Sequence, residues 1–134
     1  MTPTAVVFDH TALAALGTGH SFLAHLVEAA HRDAGRQILV PVLALARAEQ
    51  DRPGSAEHFG ALPALSFVDL DFPSAGAVGA HAAAAGHAWE VTHAAHVARP
   101  APHWPNGLPL FTTTPELYAD LGVKAFPIDP PGSA

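Results

Sequence analysis

The sequence predicts a single α/β domain, built as a three-layer sandwich around a mostly parallel central sheet of about five strands. Short apolar runs alternate along the chain with longer segments of helical periodicity, the arrangement typical of parallel β/α proteins. The chain has 134 residues, of which 49% are hydrophobic and 13% charged, so it is long enough to bury a core of its own. The domain is predicted to span residues 1–129, with a frayed tail over residues 130–134.

The predicted elements follow in chain order. Apolar runs predict strands over residues 5–8, 38–40, 65–71, 108–112 and 123–128. The stretch after the first strand is interpreted as a turn of small residues. Predicted helices run from Ser21, as N-cap, to Gly35; over residues 42–51; from Ser74, as N-cap, to Gly86; over residues 89–99; and from Thr114, as N-cap, onward. Residues 100–109 form a loop by composition.

Charge and cysteine content exclude some classes of protein. Twelve Asp and Glu face six Lys and Arg, with no basic cluster, and this disfavours strong binding to bare nucleic acid at neutral pH. The absence of cysteine excludes disulfides and thiolate metal sites and fits a reducing compartment. No signal peptide or membrane-length apolar run is recognisable. We therefore expect a cytoplasmic protein that does not contact a membrane.

The ends of two predicted strands carry polar side chains. Parallel sheets place their sites beyond the carboxyl ends of the strands, at the point where the strand order reverses. Asp9 follows the first strand, and Thr112 and Thr114 lie at the end of the fourth. Asp9 can be interpreted either as a catalytic carboxylate or as a strand-end residue that caps the region of Thr11.

Four segments resemble the PIN domain family, the fold of many metal-dependent ribonucleases, including the toxins of bacterial toxin–antitoxin pairs. VVFDHTALAAL is similar to the opening strand, and ILVPVLALARAE to the second strand and its helix. WEVTHAAHVA is similar to a late helix, and GLPLFTTTPELYADLG to the closing strand, turn and helix. The resemblance covers nearly the whole chain, with the segments in the family's order.

The resemblance implies a site at which three or four carboxylates hold Mg²⁺ or Mn²⁺. Hard cations of this kind prefer oxygen ligands and activate water for phosphodiester hydrolysis. Asp9 matches the first acid of the family pattern and Glu90 the third. Arg47 and Thr114 stand where the family has its second and fourth acids.

The resemblance therefore implies Asp9 and Glu90 as the catalytic and metal-binding residues, with Thr11 and Thr112 in support. Two acids attract a dication much less than four, and a guanidinium close to Asp9 would stabilise the carboxylate by itself. We accordingly expect Arg47 to replace the metal as the counter-ion of Asp9.

An incomplete acidic site favours an interaction or regulatory module on a PIN scaffold, weak or inactive as a nuclease. The resemblance also implies a homodimer. The alternative is an active Mg²⁺- or Mn²⁺-dependent endoribonuclease of the toxin–antitoxin type, with RNA as substrate and an antitoxin as protein partner. The two functions differ in whether RNA is cleaved in the presence of metal.

Glu90, His93 and His96 recur at spacings of three residues and so form a slanted stripe on one predicted helix. Carboxylate and imidazole groups can bind a metal, which makes the two histidines less favoured candidate ligands. The more ordinary expectation is that one histidine packs in the core and the other meets solvent. Trp89 and Trp104 could stack on bases, but we expect them to close the core edge and the loop.

Overall fold

The computed structural model describes residues 4–129, so the predicted tail over residues 130–134 lies outside the described residues. Its centre is one five-stranded sheet with the order β3-β2-β1-β4-β5, in which every neighbouring pair is parallel. The strands are β1 (Thr4–Phe8), β2 (Arg36–Pro41), β3 (Leu65–Val68), β4 (Pro109–Thr112) and β5 (Lys124–Pro127). The predicted α/β class with a parallel central sheet is confirmed.

Six α-helices and one 3₁₀ helix connect the strands within the described residues. They are α1 (His10–Gly17), α2 (Ser21–Arg32), α3 (Val42–Asp51), α4 (Ser55–Gly60), α5 (Phe72–Ala85), α6 (Trp89–Ala98) and a 3₁₀ helix (Pro115–Tyr118). The sequence did not predict α4, and the turn expected after the first strand is in fact α1. The segment is helical because alanine and leucine are strong helix formers. The Asp9 side chain also caps the helix by accepting the N–H of Ala12.

Two predicted helix N-caps are wrong, and a third is confirmed. The N-cap of α5 is Asp71, whose side chain accepts the N–H of Ser74, so Ser74 is capped and does not cap. The N-cap of α2 is His20 instead of Ser21, with the imidazole accepting the N–H of Leu23. Thr114 is the N-cap residue of the 3₁₀ helix, as predicted, although its side chain makes no cap hydrogen bond and its hydroxyl instead lies 3.3 Å from that of Thr112.

Alternation along the strands divides the core into two layers. Val6 and Phe8 of β1 face one side of the sheet, against α1, α2 and α4, whereas Val7 faces the other side, against α6 and the 3₁₀ helix. α5 packs on α6, so helices cover both faces and the three-layer sandwich is complete. Within residues 4–129, none of the helices has both the length and the apolar character that crossing a lipid bilayer requires.

The strand order places a switch point between β1 and β4. β2 and β3 follow one another on one side of β1, whereas β4 pairs with the other side of β1. Such a reversal opens a crevice outside the carboxyl ends of the two central strands. Asp9 and Thr112 lie at these ends. The N–H of Asp9 donates to the carbonyl of Phe111, the residue before Thr112, at 3.4 Å. The prediction that Asp9 and Thr112 lie at the carboxyl ends of strands is confirmed, and the two strands are neighbours in the sheet.

Candidate functional site

The carboxylate of Asp9 is completely buried and is bonded on both oxygens by its own chain. Oδ1 accepts the hydroxyl of Thr11 at 2.6 Å and the N–H of Ala12 at 2.9 Å. Oδ2 accepts the hydroxyl of Tyr118 at 2.8 Å. Asp9 is also the N-cap of α1, where the helix dipole favours a negative charge. The interpretation of Asp9 as a cap of the Thr11 region is therefore confirmed, at the position where the fold would place a catalytic group.

A row of threonine hydroxyls continues from Asp9 along the switch point, and its proton order follows from donor counting. Thr11 donates its one hydroxyl proton to Asp9, so its oxygen can only accept. It accepts the N–H of Thr113 at 2.9 Å and therefore also the hydroxyl of Thr112 at 3.0 Å. The Thr112 oxygen accepts the N–H of Thr114 at 3.0 Å and its hydroxyl at 3.3 Å. Every hydroxyl in this network, which we call the hydroxyl chain, thus donates toward Asp9.

Tyr118 closes the network from the opposite side. It is almost fully buried, and burial together with the negative charge of Asp9 raises its pKa far above the ordinary value. The phenol therefore stays protonated and donates to Asp9. Tyr118 was not predicted as a site residue, although a buried tyrosine hydroxyl nearly always requires a partner and this is the only tyrosine of the chain.

The expectation that Arg47 faces Asp9 is wrong. The Nε atom of Arg47 donates to both oxygens of Asp51, at 3.0 and 3.1 Å, and its Nη1 atom donates to Oε1 of Glu90 at 2.5 Å. Asp51 lies one helical turn after Arg47 on α3, the spacing at which opposite charges pair, so the sequence carried a signal for this partner. Hydrogen bonds and charge from the two acids raise the pKa of Arg47.

Arg47, Asp51 and Glu90 together form a group that we call the ion triad. Glu90 reaches it from the first turn of α6, and its side chain is 14% exposed. Its charge also contributes to the raised pKa of Tyr118, after burial and Asp9. The charges of Asp9 and Glu90 therefore both act on the Tyr118 phenol, but only Asp9 is hydrogen-bonded to it. Asp9 accepts two hydroxyls and one backbone N–H, whereas Glu90 is paired with the guanidinium of Arg47.

The two histidines of α6 have different surroundings. His93 is buried, and its Nδ1 accepts the N–H of Leu43 at 3.4 Å, while Nε2 has no hydrogen-bond partner among the described residues. Burial, with a smaller effect of His96, lowers the pKa of His93 to about 4. His96 is half-buried, and burial followed by the Arg99 charge lowers its pKa as well. One histidine thus packs in the core and the other reaches solvent, as the ordinary expectation had it.

The described residues contain no group of three or more histidine, aspartate or glutamate side chains that could hold a metal ion. A hard dication needs several oxygen ligands, whereas both oxygens of Asp9 accept donors of the chain and Oε1 of Glu90 accepts Nη1 of Arg47. The arrangement can hold a buried negative charge and an ion triad.

The two tryptophans are likewise unequal. Trp104 is partly buried against the core layer of α6, as expected for a residue that closes a loop. Trp89 is 67% exposed at the start of α6, so the expectation that it closes the core edge is wrong. It stands next to Glu90 in the chain and is free to contact a partner.

No protein-family model matches the chain, and no curated protein is significantly similar to it. The resemblance to PIN domains therefore depends on the four sequence segments and on their order along a parallel sheet. A fold of this kind can support several different activities, so the resemblance does not by itself assign one.

Proposed function

We propose that the protein is a PIN-like domain whose metal centre is replaced by the hydroxyl chain and the ion triad, and that it acts as an interaction or regulatory module. The observation that carries this proposal is the state of Asp9. Its carboxylate is fully buried, and three donors from Thr11, Ala12 and Tyr118 occupy its two oxygens. A metal bound there would have to displace the phenol of Tyr118 and expose a buried charge.

The ion triad supports the same proposal through its charges. Arg47 stands where the family has an acid, and it binds Glu90, the other carboxylate that the resemblance assigns to the metal. Exchanging an acid for a base at one position changes the local charge by two units. Coulomb repulsion between a dication and the guanidinium then opposes the attraction of the remaining acids.

Exposed aromatic side chains support the role in interactions. Phe22 and Phe126 are 47% and 44% exposed and both contact Phe111, with ring centroids 5.7 and 5.9 Å apart. Exposed aromatic clusters are typical of surfaces that contact a partner. The homodimer, a protein partner or antitoxin, and a cytoplasmic location remain parts of the proposal. A sedimentation experiment that returned only monomer would contradict the homodimer.

The alternative, an active Mg²⁺- or Mn²⁺-dependent endoribonuclease acting on RNA, is favoured by one observation. Asp9 lies at the switch point, and Glu90 is close enough for both charges to act on Tyr118. In that function, a movement of Tyr118 and Arg47 would have to free the two carboxylates for the metal.

An RNA cleavage assay with Mg²⁺ or Mn²⁺ separates the two functions. Because the carboxylates are already occupied, we expect the wild type and Asp9→Asn to produce the same background cleavage, unaffected by EDTA. Glu116→Gln, which removes an exposed acid from the 3₁₀ helix, serves as the control. Circular dichroism verifies that each variant is folded. Metal-dependent cleavage that is lost in Asp9→Asn and retained in Glu116→Gln would overturn the proposal in favour of the nuclease.

A further inference from the structure

A cavity of about 490 Å³ lies between α1, the C-terminal end of α3 and α4, apart from the hydroxyl chain. Its volume falls in the range of pockets that hold small organic molecules. The hydroxyl chain does not line this cavity, and of the ion triad only Asp51 does. The cavity therefore needs an explanation of its own.

The interior of the cavity is apolar. Leu13, Ala48 and Phe59 line it, and all three are buried core residues. Gly17 forms part of the wall, and a Cβ atom added there would lie 3.4 Å from the Phe59 ring. A larger side chain at position 17 would therefore fill space beside the ring, which the glycine leaves open. Such a wall suits the apolar body of a ligand.

The free charge at the rim is positive. Arg52 lines the cavity, is exposed, and forms no ion pair within residues 4–129, whereas Arg32 and Arg36 each pair with an acid. Asp51 also lines the rim, but both of its oxygens accept the Nε–H of Arg47. Asp51 is thus paired with a guanidinium that does not line the cavity, whereas Arg52 has no carboxylate partner among the described residues.

We propose that this cavity binds a small amphipathic carboxylate, either an aromatic acid or a short aliphatic acid. The apolar body lies between α1 and α4, and the carboxylate meets Arg52, whose planar fork can donate two parallel hydrogen bonds. His10 and His58, which also line the cavity, offer further imidazole donors to the same anion. This site is independent of the proposed function, since it uses neither Asp9 nor Glu90.

Benzoate and its uncharged analogue benzamide are suitable probes, with binding followed by ¹H–¹⁵N NMR. We expect benzoate to shift the amides of α1 and of residues 51–59, and to bind more tightly than benzamide. Arg52→Gln should weaken benzoate binding about ten-fold, the effect of losing a charge-assisted hydrogen bond. Ala14→Phe, at an exposed lining position, should abolish binding by filling the cavity.

Arg99→Gln is the matched control, because Arg99 is an exposed arginine whose Nη1 donates to the carbonyl of His96, away from the cavity. It should bind benzoate like the wild type. The proposal is overturned if benzoate shifts no amides at roughly 10 mM, where even a millimolar ligand would saturate. Shifts confined to other surfaces, or equal binding by the wild type and Arg52→Gln, would overturn it as well.

Discussion

The buried carboxylate of Asp9 is stabilised by donors of its own chain. Hydroxyl donors from Thr11 and Tyr118, the N–H of Ala12 and the N-terminal end of α1 all act on it. Hydrogen bonds to a charged group are stronger than those between neutral groups, and together they offset the cost of burying one charge. The nearby guanidinium of Arg47 is consequently available to Asp51 and Glu90.

Tyr118→Phe tests the contribution of one donor at the residue scale. The variant keeps the ring and leaves Oδ2 of Asp9 buried without its partner, so we expect the free energy of unfolding to fall by about 1.5–3 kcal/mol. Urea denaturation measures it, with an unchanged m-value. Thr113→Val is the control, and it should change stability by less than about 0.5 kcal/mol. A Tyr118→Phe variant as stable as the wild type would show that the bond does not hold Asp9.

The separation of two residues along the chain decides whether their pairing can be predicted from the sequence. Arg47 and Asp51 are four residues apart on one helix, a pair that the helical period predicts. Tyr118 and Asp9 are 109 positions apart, and no local pattern links them. Only the strand order brings them together, so the sequence located the carboxylate but not its donor.

At the scale of the element, helix ends account for most differences between expectation and structure. Residues Ser74 and Ser21 are good N-caps by type, yet Asp71 and His20 occupy those positions. Several polar residues compete near each helix start, and tertiary packing decides which of them is aligned with the free N–H groups. The C-terminal end of α5 is different, since Gly86 adopts the left-handed conformation there with φ of 72°, as predicted.

Two glycines associated with α5 should therefore respond to alanine in opposite directions. Gly86→Ala forces a side chain into the left-handed region and should lower the free energy of unfolding by about 1 kcal/mol. Gly79→Ala lies inside the helix, where an added Cβ meets nothing within 4 Å, and should raise it by about 0.5–1 kcal/mol. Thermal or urea unfolding of both variants measures the difference. The same sign for the two changes would contradict this account of the helix end.

At the scale of the whole molecule, the fold followed from alternating apolar runs and helical segments, because parallel strands buried on both faces are apolar throughout. The same reasoning placed Asp9 and Thr112 at one edge, since carboxyl ends of parallel strands share it. The alternation of strands and helices could not determine which side chains pair with one another at that edge. Whether Arg47 meets Asp9 or Glu90 depends on how α3 and α6 pack, which no strand pattern specifies.

The central claim is that Asp9 is held by hydroxyl groups and not by a metal, and calorimetric titration with Mn²⁺ tests it most directly. The comparison is between the wild type and the double variant Arg47→Glu/Thr114→Asp, which places acids at the two positions where the proposed resemblance to PIN domains implies them. We predict no saturable binding for the wild type at roughly millimolar Mn²⁺ and at least ten-fold tighter binding for the double variant, because added carboxylates attract the dication. Tight binding of Mn²⁺ to the wild type that Asp9→Asn abolishes would contradict the account.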